Sequence, residues 1–346
     1  MVGVMLSNEA IYMLIFATLL VPPFVLSTRI SVLMPMSVLL LLGAAHQVYV
    51  LKLPGEFWAH VLPGALLARA GFLVLRGRSG LFLLSWWQGL LGILFFVALV
   101  ISEVYTTGLQ RLGHLSHVMI FVASGSIVAG AAVHARLHRT GSASLAPFVL
   151  ARVLLDSASL FGIGIVLIAH KHDSQPLAVA FHDAQGCMLI LLAAAQLGGW
   201  AVNELTWREG EAPGAVATAV CMLQTTCWLL NAVWLIHMGA FLYLMPGRHG
   251  LHSVVWHDTP DVHETVNTYL AVDVWVCTVC TVCMHMQLHN SGGARSSFQV
   301  HAQGSAANYA KLPPNGEHVM REDLETAAEA ALHMNGDDAR LASAQT

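Results

Sequence analysis

The 346-residue chain is 56% hydrophobic and only 10% charged, with a formal net charge of -4. Soluble domains carry about 25% charged residues, so an ordinary water-soluble domain is excluded, and the small, dispersed charge leaves no basic footprint for nucleic acid. Recurrent apolar runs predict an all-α polytopic membrane protein, with the lipid bilayer as its first partner.

A run of about 20 apolar residues is the spanning criterion. In chain order the runs are Ala10–Leu26, Ile30–Leu51, Phe57–Leu75, Leu81–Ile101, His117–Val133, Ala146–Ala169, Phe181–Val202, Ala215–Met245 and Asn267–Leu288. The last seven form a seven-helix transmembrane core over residues 57–289, preceded by residues 1–56. That leading segment is a hydrophobic hairpin or a leader. Pro22 and Pro23 interrupt its first run, while its second joins Arg29 to an apolar stretch ending in Gly43, Ala44 and Ala45. Two adjacent spans favour the uncleaved hairpin, because a leader has one. Residues 290–346 turn polar and are expected to be mostly disordered, with a short helix over Glu322–Met334. Tyr309-Ala-Lys-Leu312 has the form of a sorting signal, a pattern also common by chance in polar tails.

Basic residues orient the chain. Taking Phe57–Leu75 as the first core helix, one side carries Arg76, Arg78, Arg136, Arg139, Arg208 and Arg295; the other carries Lys52, Arg111, Lys171 and Arg248. The excess places the first side and the C-terminal tail in the cytoplasm of an endomembrane or plasma-membrane protein. The opposite rim, luminal or extracellular, then collects His60, His114, His117, His170, His172, His182, His237, His257 and His263. Trp58, Trp86, Trp87, Trp200, Trp207 and Trp256 fall near span boundaries, as an aromatic belt would.

Four ionisable residues lie deeper: Arg69 in the first core helix, Arg152 and Asp156 in the fourth, and Asp273 in the seventh. Charges at bilayer depth face the bundle and pair. Arg152 and Asp156 are spaced i,i+4 for an intrahelical pair, and Arg69 with Asp273 is a candidate cross-helix pair or polar pathway. Cys277, Cys280 and Cys283 imitate a metal-binding spacing, but they sit mid-helix and read as small packing residues.

The order of several short motifs resembles the transmembrane protein 45 family. They are HVLPG at His60–Gly64, HVMIFVASG at His117–Gly125, His170-x-His172 followed by His182, LQTTCW at Leu223–Trp228, and DVHE at Asp261–Glu264 with Trp275 downstream. The resemblance covers about residues 57–288. It implies the seven-helix core and marks His60, His117, His170, His172, His182, Gln224, His263 and Glu264 as family-pattern positions, without implying a reaction. Two positions depart from the pattern: Ser116 precedes His117 where the family pairs two histidines, and Val276 follows Trp275 where it has a histidine.

Neutral imidazole is the commonest metal ligand, so His60, His117, His170, His172, His182 and His263 are candidate ligands for Zn2+, with Glu264, Asp261 and Asp183 to orient them or serve as a base. A pH-responsive hydrogen-bond network and plain interfacial packing are the competing readings of the same rim. Three functions follow: a non-enzymatic multi-pass protein acting by ion or partner interaction, a membrane-embedded metal-dependent hydrolase, and a proton- or metal-coupled transporter. The first asks least of the residues, so the expectation is that the protein is not an enzyme.

Overall fold

The computed structural model describes residues 8–27, 30–53, 55–76, 86–107, 112–140, 145–169, 176–206, 214–243 and 260–290. Among these every element is helical: α1 (Asn8–Leu26), α2 (Ile30–Ala45) running into a π-helical turn at His46–Val50, α3 (Gly55–Leu75), α4 (Trp86–Thr107), α5 (Leu112–Thr140), α6 (Leu145–Ala169), α7 (Pro176–Thr206), α8 (Ala215–Tyr243) and α9 (Pro260–Asn290). All belong to one unit, Met1–Gln299. A second unit, Val300–Thr346, lies outside the described residues, and with it the expected tail helix and Tyr309–Leu312.

Each of the nine apolar runs corresponds to one α-helix, with shifted ends. α7 begins at Pro176 and α9 at Pro260, well before the apolar runs at Phe181 and Asn267. Proline suits a first helical turn, where its missing N–H would have no intrahelical acceptor. The α9 extension carries Asp261, His263 and Glu264, polar residues that lower its hydropathy, whereas the α7 extension, Pro176–Ala180, is apolar and was set apart only by its proline. His182 therefore sits on the second turn of its helix rather than opening it.

Among the described residues, seven stretches are long and apolar enough to cross a membrane: Ser31–Val50, Phe57–Leu75, Leu115–Leu137, Phe148–Ala169, Pro176–Val202, Ala215–Leu242 and His263–Leu288. The chain is an all-α polytopic membrane protein. Membership of the seven differs from expectation, since α2 qualifies and α4, apolar over Gly89–Tyr105, is shorter.

Neighbouring helices run antiparallel, α4 against α5, α5 against α6, α6 against α7, and α7 against α8. α3 then packs on α8, and α9 lies against α7 and α8. The α1–α2 pair covers the outer side of α3, where Met13, Phe24, Leu33, Leu40, Phe57 and Val61 form a shared core. Lipid is as apolar as leucine, so helices here associate through close packing and polar contacts rather than by hydrophobic exclusion from water. The α6–α7 crossing shows the requirement. A Cβ at Gly164 would stand 2.7 Å from the carbonyl oxygen of Gly186, and one at Gly186 would stand 2.6 Å from that of Gly164. Similarly, a Cβ at Gly64 of α3 would stand 2.9 Å from the carbonyl oxygen of Ala232 on α8.

Gly186→Val should therefore force α6 and α7 apart at a cost of about 1–3 kcal/mol. Thermal unfolding in detergent would show a lowered midpoint, whereas Gly198→Ala, with no atom within 4 Å of its Cβ, should leave the midpoint near wild type.

Candidate functional site

The antiparallel alternation brings the start of α3, the start of α5, the start of α7, the end of α8 and the start of α9 to one end of the bundle. His60 projects from the second turn of α3, against the position where α8 carries Gly239: a Cβ there would lie 3.1 Å from that of His60. His182 approaches from α7, and the two imidazole centroids are 6.2 Å apart with planes tilted by 35°. Both side chains are half-buried.

The other candidates go elsewhere. His117 turns to α4, where its Nδ1 lies 3.1 Å from Glu103 Oε1, and its ring stands 6.4 Å from that of Phe121. Glu103 escaped the sequence reading because it lies beyond the apolar run that defined its helix. His263 and Glu264 are exposed on the first turns of α9, and Asp183 is half-buried on α7. Asp261 belongs to the first turn of α9, its side chain outside the description, and His170 and His172 lie outside the described residues. Among the described residues, no three His, Cys, Asp or Glu side chains come close enough to hold one metal ion. Among the described residues His60 and His182 would supply two ligands at most, where a zinc site uses three or four. Two imidazoles on one Zn2+ would have centroids about 5 Å apart from Zn–N bonds of about 2.0 Å, so the observed pair needs to close by about one ångström.

The deep charges each find a separate partner. Arg69, 3% exposed, donates from Nη1 to the carbonyl oxygens of Phe24 at 2.9 Å, Val25 at 3.4 Å and Ser27 at 2.8 Å. Those carbonyls belong to the end of α1, where no further turn supplies an N–H. The guanidinium carbon also lies 5.6 Å from the centroid of the Phe24 ring. Arg152 and Asp156 form the expected i,i+4 pair at 3.3 Å. Asp273 accepts from His237 Nδ1 at 2.9 Å. The cross-helix pair of Arg69 with Asp273 does not form: the α1 carbonyls compete for one partner and His237 takes the other. Cys277 is buried on α9 while Cys280 and Cys283 are exposed, so the three free thiols do not converge.

Trp58 does not join an aromatic belt. It is 2% exposed beneath the α1–α2 pair and donates from Nε1 to Gln47 Oε1 at 2.8 Å. A second polar centre joins α7 to α8. Gln185 Nε2 donates to Asn231 Oδ1 at 2.8 Å, and Asn231 Nδ2 donates to the carbonyls of Cys227 at 2.8 Å and Met188 at 3.1 Å. Trp234 Nε1 reaches the Phe181 carbonyl at 3.1 Å, and Gln224 Nε2 reaches that of Ala195 at 3.0 Å. Gln224 thus acts as a tie between helices. The signal for Gln185 and Asn231 was available, because amides inside apolar runs must face a partner. No family model matches the chain, and neither does any curated protein or any solved structure.

A double-mutant cycle on Gln185→Leu and Asn231→Leu should give a coupling energy on the order of 0.6 kcal/mol, the scale of interhelical hydrogen bonds in bilayers. Unfolding equilibria in mixed micelles would measure it.

Proposed function

We propose that this multi-pass protein is of the transmembrane protein 45 type and acts without chemical turnover, by binding a divalent cation at its histidine-bearing rim. The observation that supports this reading is the convergence of His60 and His182 from different helices to 6.2 Å between ring centroids. Neutral imidazoles favour borderline ions such as Zn2+, and both rings are half-buried near a helix end where an ion can enter from water. The two rings hold part of the ion's shell, and water or side chains outside the described residues fill the rest. The rim faces the lumen or the exterior, and the polar tail faces the cytoplasm, where Tyr309–Leu312 offers itself to sorting machinery.

Purified protein in nanodiscs, titrated with Co2+ as an optical stand-in for Zn2+, should show saturable ligand-field absorption. His60→Gln and His182→Gln should each weaken binding by about tenfold or more. Wild-type protein that takes up no Co2+, or variants that bind as tightly as wild type, would overturn the reading.

A further inference from the structure

α9 is the least enclosed of the long helices. Val272, Val274, Trp275, Val276, Val279, Val282 and Met286 are all exposed on the protein surface, where lipid would lie. Among its described side chains the buried positions are Val266, Asp273, Cys277 and Thr281, a narrow seam facing α7 and α8. Two of those four are polar, and each reaches α8: Thr226 Oγ1 donates to Thr281 Oγ1 at 3.2 Å, and His237 Nδ1 meets Asp273 Oδ2 at 2.9 Å. The side chain of Asp273 is 3% exposed and that of His237 is 39% exposed. One member of the pair is thus sealed in the seam while the other reaches its edge.

The groups around Asp273 leave His237 as its charge partner. α9 itself contributes Cys277, a free thiol one turn along, and Tyr269, whose ring packs on Phe241 4.5 Å away. α8 also offers Cys227, on the Asn231 side of the helix. The ionisable residues of α7 at this end are His182, whose ring lies beside His60, and Asp183. α3 touches α9 slightly, and its Arg69 is engaged with α1.

With one added proton on the pair, carboxylate and imidazolium together are neutral. Without it, a net negative charge sits in an apolar seam, held by one hydrogen bond from a neutral ring. A buried charge that loses its counter-charge is strongly destabilising. We propose that His237 and Asp273 form a proton-binding site, and that its occupancy sets how firmly α9 is held against α8. Protonated, the pair clamps the seam; as pH rises, the clamp opens and α9 separates from the bundle. The site is distinct from His60 and His182, which lie on the α3 and α7 side of α8, and the proposal does not depend on metal binding there.

Full-length protein in nanodiscs, spin-labelled at Leu154→Cys on α6 and Met286→Cys on α9 after the six native cysteines are replaced, would report the separation by pulsed electron resonance. Wild type should show one distance at acidic pH and a second, longer population growing as pH rises. Asp273→Asn, which keeps a hydrogen-bonding side chain but cannot ionise, should keep the short distance at every pH. His237→Gln should show the long population throughout. A wild-type distribution that does not change with pH overturns the proposal, as does an Asp273→Asn distribution that follows wild type.

Discussion

Lipid offers a helix nothing with which to satisfy a polar group except another helix, and this constraint decides most of what is seen here. Every deep polar side chain with a described partner is a joint between elements or a pair within one. Gln47 joins the π-helical turn to α3, Gln185 and Asn231 join α7 to α8, Asp273 joins α8 to α9, and Arg69 joins α3 to α1. Arg152 and Asp156 resolve the same demand within a single helix. Glycine complements them, because short hydrogen bonds between helices need backbones that can approach. The carbonyls of Gly164 and Gly186 each occupy the space a Cβ would take on the other helix.

α8 collects these joints. One flank packs along α3, with Gly239 beside His60, and another presents His237 to Asp273 on α9. Its inner positions carry Asn231 and Trp234, both 0% exposed, toward α7. The imidazole pair of α3 and α7 and the acid–imidazole pair of α8 and α9 therefore stand at the same end, on different sides of one rigid element. Chemistry at this end, whatever the ligand, acts on helices that all pack against α8.

The helices were legible because each must present about 20 apolar residues to cross lipid, a signal composition cannot hide. Their starts were not: α7 opens one turn early with Pro176–Ala180, behind a proline that reads as a break, and α9 opens with the polar turn Pro260–Glu264 ahead of its apolar run. That lengthening moved His182 one turn inward and put Glu264 on an exposed face. The i,i+4 pair of Arg152 and Asp156 was readable from spacing, since it needs one helix only. The partners of Arg69, Asp273 and His117 were not, because spacing within a helix says nothing of which helix lies beside it. A backbone carbonyl, as at Phe24, leaves no mark in the sequence at all.

The contact between Arg69 and the end of α1 has a bearing on assembly. The guanidinium lies 45 residues downstream of Phe24, its first carbonyl partner. Until α3 is made and placed, the last carbonyls of α1 depend on water or on the insertion machinery for hydrogen bonds. α1 reaches its full complement of bonds only when α3 arrives, and α3 in turn waits for α8, its main packing partner, made well over one hundred residues later. The order of synthesis and the order of completion therefore run apart, and the earliest helix made is not the earliest one settled.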